Sequence, residues 1–140
     1  MTRALIALLA VQTAMVGVWG SIWPMSFYED GPLPFLDTGW TALLPPYNEH
    51  LMRDYGLMNL GFAVVLFSTL ATMTSSLVRL SMVAYLVFAV PHTIFHLMHL
   101  EHLSTGGATG LAITLGLTVL LPLIVLVLSR RRGLAGTPIS

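Results

Sequence analysis

Apolar positions along the chain gather into four runs separated by polar or turn-rich gaps. A bilayer's hydrocarbon core takes about 20 helical residues, and the runs at about 4–23, 48–74, 77–102 and 108–128 each supply that length. The first is interrupted only by Gln12, Thr13 and the small Gly17, Gly20 and Ser21. Its Met-Thr-Arg start and Val18-Trp19-Gly20 would also suit a signal peptide; we read the segment as a retained helix. In the second, Asn48 follows a Pro-Pro pair and is placed to cap the helix. Met73-Thr74-Ser75-Ser76 predicts a tight turn before the third run, and Ser104-Thr105-Gly106-Gly107 breaks the chain before the fourth. The predicted fold is all-α, a four-helix transmembrane bundle forming one domain over residues 1–140.

The stretch 24–47 is the one long loop, rich in Pro, Gly, aromatic and acidic residues. Loops of this length are usually functional. Phe27, Tyr28, Phe35, Trp40 and Tyr47 suit the membrane interface, so an ordered cap on the extracytoplasmic side is expected.

Composition agrees with a lipid-embedded chain: 56% of residues are hydrophobic, 9% are charged, and mean hydropathy is +0.84. A soluble domain carries about 25% charged residues. Net charge is zero, which excludes a basic nucleic-acid-binding surface. Cysteine is absent, which excludes disulfides, iron–sulfur clusters and thiolate zinc sites. No Gly-x-Ser-x-Gly or phosphate-cradling loop occurs. Arg3, Arg79 and Arg130 to Arg132 fall on one side of a four-pass arrangement, while Arg53 and all six acids fall on the other. Positive flanks stay in the cytoplasm, so both termini are expected inside, in a plasma membrane.

Histidine placement carries the candidate chemistry. His92, His96, His99 and His102 occupy the outer half of the third run, and His50 opens the second. At about 100° per residue, His92, His96 and His99 fall within roughly a 60° wedge that Tyr85 and Ser81 extend inward. Imidazoles at i, i+3 and i, i+4 can share one metal ion, so these three are the candidate ligands of zinc, copper or iron. Met98 is a weaker copper candidate. Pro91 removes the hydrogen bond to the Val87 carbonyl and should kink the helix beside His92.

In the second run Glu49 pairs with Arg53 and His50 with Asp54 at i, i+4. Consecutive antiparallel helices usually pack as neighbours. That would bring the histidines to a subset of Glu49, His50, Arg53, Asp54 and Asn59 beneath the loop. Glu49, His50 and Asp54 are the candidate catalytic or site-completing groups, and Arg53 would orient an anionic group. Haem ranks below a non-haem ion, because two histidines on one helix face cannot ligate opposite faces of a porphyrin. Gly106-x-x-x-Gly110 and Gly116 predict a helix-packing face on the fourth run.

With Phe27-Tyr28, Pro46-Tyr47-Asn48-Glu49-His50-Leu51-x-Arg53-Asp54-x-Gly56 and Val87-Phe88-x-Val90-Pro91-His92-x-x-Phe95-His96-x-x-His99, the chain resembles a group of short, uncharacterised four-helix membrane proteins from actinobacteria. In topology it is loosely similar to DoxX-like proteins. The resemblance implies the four-pass fold and an actinobacterial plasma membrane, and no activity. Three functions are therefore expected in order: a metal-binding membrane protein with redox or lipophilic-substrate chemistry at the outer face; a metal-free acid–base enzyme on a lipid or isoprenoid; and a non-catalytic accessory subunit. The partners expected are membrane lipids, a lipophilic small molecule, and other membrane subunits or a second copy.

Overall fold

The computed structural model describes residues 1–31, 39–42 and 46–134. Five helices follow in order: α1 (Thr2–Ile22), α2 (Pro24–Asp30), α3 (Glu49–Thr72), α4 (Ser75–Leu97) and α5 (Thr105–Leu134). Apart from α2, each is long and apolar enough to cross a membrane. The chain is thus an all-α bundle with four candidate spans. We call its two ends the arginine end (Arg3, Arg79, Arg130) and the loop end.

Three helix boundaries depart from expectation, one of them at α5, which runs to Leu134 rather than ending near Leu128. The segment 24–47 opens with a helix, because Pro24 occupies the first turn, where its missing N–H costs nothing. Gly31, at φ 76°, stops that helix in a conformation other residues avoid. Within it, Ser26 donates to Asp30 and accepts from the Trp19 indole, tying α2 back to α1. Phe35 and Asp37 lie outside the described residues. The third departure is that α4 ends at Leu97 rather than near His102. Its last carbonyls need partners, and the His99 ring nitrogen Nδ1 donates to the Phe95 carbonyl at 2.7 Å. The chain then turns away. Pro91 sits inside α4 without ending it.

The Asn48 cap forms as expected, accepting from the Leu51 N–H at 3.1 Å. The turn after α3 places Met73 in the left-handed region, φ 51°. That conformation costs a non-glycine residue about 1–2 kcal/mol, yet Met73 is buried in the core. Losing a buried Met side chain costs about 2–5 kcal/mol, which outweighs the relief. Met73→Gly should therefore destabilise the protein by about 1–2 kcal/mol in thermal unfolding.

The second and third spans, expected to pack as neighbours, are not a close pair. α1 packs against α3, and α4 against α5, while α3 and α4 approach each other little beyond their shared turn. Between membrane helices, close approach comes from small residues. Gly17 lies on the Leu60 backbone and Gly20 on the Gly56 backbone, whereas a side chain on Gly56 would run into Ser21 and Gly20. The α3–α4 seam instead carries rings: Phe62 against Tyr85 at 5.9 Å, and Tyr55 against Phe88 and His92 at 6.1 Å. Bulky rings hold the helices apart. The expected packing face on α5 is also reassigned, since Gly110 receives the Trp40 ring while Gly106 and Gly116 touch nothing.

At the arginine end the bundle is tightly filled by Ile6, Leu9, Leu66, Val78, Met82 and Val125. A smaller cluster of Trp40, Leu111 and Leu115 sits at the loop end. Between them the bundle is hollow.

Candidate functional site

The hollow is a cavity of about 170 Å³, bounded by all four spans and by the loop segment. Gln12 and Val16 come from α1, Met52, Tyr55 and Asn59 from α3, and Tyr85, Phe88, His92 and His96 from α4. Thr114 and Thr118 of α5 face it, and Phe27, Trp40 and Thr41 close it at the loop end. The described part of the segment 24–47 therefore caps the site through Trp40, whose ring fits the slot left by Gly107 and Gly110.

Helical spacing explains the α4 wall. Phe88, His92 and His96 recur every fourth residue, so their rings stack down one face: Phe88 to His92 at 4.9 Å, then His92 to His96 edge-on at 4.6 Å. From α3, Tyr55 lies flat against His92, and one turn deeper Asn59 donates to the Tyr55 carbonyl at 2.9 Å. The Thr93 hydroxyl on the far side of α4 reaches the Leu115 carbonyl at 3.4 Å and fixes α4 to α5.

His92, His96 and Asn59 thus share the cavity, as spacing and antiparallel packing implied. His99 does not: it is exposed, stacked on Phe95 at 4.3 Å, and spent on the end of α4. The 60° wedge required helix to continue through His99, and it stops at Leu97. Met98 is 72% exposed.

The charged cluster on α3 forms both expected pairs but outside the cavity lining. Arg53 Nη2 meets Glu49 Oε1 at 2.8 Å, and His50 Nε2 meets Asp54 Oδ2 at 3.2 Å. Arg53 also donates to the Ser21 carbonyl, clasping the first turn of α3 to the last turn of α1. Exposed ion pairs contribute about 0.2–1 kcal/mol. Glu49→Gln should accordingly shift stability by less than about 0.5 kcal/mol, whereas Arg53→Ala, which also frees a helix-end carbonyl, should cost about 1 kcal/mol in chemical unfolding.

Among the described residues, no three of His, Asp and Glu come together as a metal-holding group. Among the described residues, no Asp, Glu, Arg or Lys lines the cavity. Its polar atoms belong to imidazole, phenol, amide and hydroxyl groups. Tyr55, Met52 and Trp40 were not singled out as cavity residues by spacing. The signals that pointed to them were the four-residue step from Tyr55 to Asn59 and the small residues Gly107 and Gly110 facing an aromatic loop.

Fold and site together define a polytopic integral membrane protein with a largely apolar cavity, carrying a few polar groups, inside its bundle. Comparison with protein-family models, with curated proteins and with solved structures returned no match.

Proposed function

We propose that the protein binds a small, uncharged, membrane-soluble molecule in this cavity. The ligand is held between aromatic faces and hydrogen-bonded by His92, His96 and Asn59. What carries the reading is a cavity of about 170 Å³ that lies within membrane-spanning helices and has polar atoms but, among the described residues, no charged side chain on its wall. A charge buried without a partner is strongly disfavoured, and the described lining offers an ionic ligand no counter-charge. Size points the same way: an apolar cavity of about 150 Å³ takes benzene. Glu49, His50 and Asp54 are not among the residues that line the cavity, so ligand binding is favoured over chemistry driven by those groups. The arginine end is assigned to the cytoplasm of a plasma membrane, as the arginine distribution suggests.

The test uses the tryptophans. With Trp19→Phe and Trp23→Phe, Trp40 is the single reporter, and 2-bromo-4-methylphenol, a ring-sized heavy-atom quencher, is titrated in nanodiscs. Saturable quenching supports the reading, and quenching that only follows partition into lipid contradicts it.

A second reading, a transition metal held by His92 and His96, is favoured by their contact within the same cavity. They supply two nitrogen donors at i, i+4, with the Met52 thioether lining the same space. Elemental mass spectrometry of untagged protein should then find near-stoichiometric copper, zinc or iron, lost in His92→Ala/His96→Ala. No metal after supplementation contradicts this reading and leaves ligand binding standing. A cavity silent to both probes favours an accessory role beside other membrane subunits.

A further inference from the structure

The walls of the cavity differ in thickness, and the difference bears on what kind of molecule it takes. At the arginine end it is closed by a core with Ile6, Leu9 and Met82 fully buried. At the loop end it is closed by Phe27 and Trp40, 3% and 7% exposed. Between α1 and α3 it is closed by backbone contact at Gly20 and Gly56, and between α4 and α5 by the bond from Thr93 to Leu115. The α3–α4 seam is the least closely packed contact between spans. There Tyr55, Phe88, His92 and His96 line the cavity and are themselves only half-buried, so the side chains that line the cavity also reach the outer surface of the bundle. Ring contacts about 6 Å apart, rather than backbone, hold that wall closed. Side-chain rotamers rearrange far more readily than packed helices separate.

Resting on the reading that the cavity holds an uncharged molecule, we infer that its ligand is a ring-headed amphiphile with an aliphatic chain. The head occupies the cavity, and the chain leaves between α3 and α4 into the bilayer. The volume admits about one ring and no long chain, by comparison with a benzene-sized cavity. The molecule reaches the site from the membrane and not from water, because Trp40 and Phe27 block the aqueous end. Outside the seam the exposed side chains of Leu51 and Phe95 offer apolar surface to a hydrocarbon chain.

The test exploits the absence of cysteine. Leu51→Cys and Phe95→Cys lie one turn beyond Tyr55 and His92 toward the loop end, and both side chains are exposed, 58% and 47%. A short bis-maleimide ties the two helices. In the Trp40-only protein, 2-bromo-4-methylphenol and 2-bromo-4-dodecylphenol are compared before and after tying. Both should quench saturably in the untied protein. Tying should weaken the dodecyl compound by about tenfold or more while shifting the methyl compound by less than about threefold. Equal binding of the dodecyl compound before and after tying overturns the inference, as does an untied protein that takes the methyl compound and rejects the dodecyl one. If neither compound quenches the untied protein saturably, it is the ligand-binding reading itself that fails.

Discussion

Gly56→Ala is expected to cost about 3 kcal/mol, near the upper end for overpacking, and to be the most damaging single methyl that can be added to this chain. Its Cβ would fall on the Ser21 N–H and the Gly20 carbonyl carbon. Both are backbone atoms and cannot turn aside as a side chain would. The only relief is to move α1 away from α3, the closest helix pair in the bundle. Association of helices in lipid draws little on the hydrophobic effect and depends on such contact. Gly20→Ala meets its nearest neighbour at 3.4 Å and should be much milder, and Gly61→Ala, with nothing within 4 Å, should be neutral. Unfolding in mixed micelles gives the order.

The second large effect is on binding. Thr114→Phe is expected to fill the cavity from α5 and to weaken 2-bromo-4-methylphenol by about a hundredfold or more, a loss of about 2.7 kcal/mol. Thr114 donates only to the Gly110 carbonyl of its own helix, at 2.8 Å, and it is half-buried. The substitution therefore occupies space without breaking a tertiary bond. Titrating Trp40 quenching in the two proteins, with melting curves to show that the fold survives, measures the effect. An unchanged affinity would mean that the phenol binds elsewhere.

Much of the fold was legible because its signals are local. Apolar run length marked the spans, Asn48 after Pro-Pro marked the start of α3, and i, i+4 spacing marked the pairs Glu49–Arg53 and His50–Asp54. What could not be read is which surfaces meet. Gly17, Gly20 and Gly56 are small wherever they lie, and nothing in their spacing says that α3 will choose α1 over α4. The rings of Tyr55, Phe62 and Phe88 decide that by bulk, which shows only once both helices are placed. His99 was drawn into the histidine wedge because periodicity assumes that the helix continues, whereas its imidazole ends α4 by satisfying Phe95. Asn59 and the pair His92 and His96 were recoverable from periodicity and neighbour packing, and they are the groups that share the cavity.

The central claim is that the cavity holds an uncharged lipophilic molecule. Native mass spectrometry of protein extracted in native nanodiscs tests it most directly, with wild type and Thr114→Phe prepared side by side. The predicted result is one organic molecule bound near-stoichiometrically to the wild type, neutral and carrying an alkyl chain, and absent from Thr114→Phe. The same set of bulk lipids on both proteins, with no molecule specific to the wild type, would contradict it.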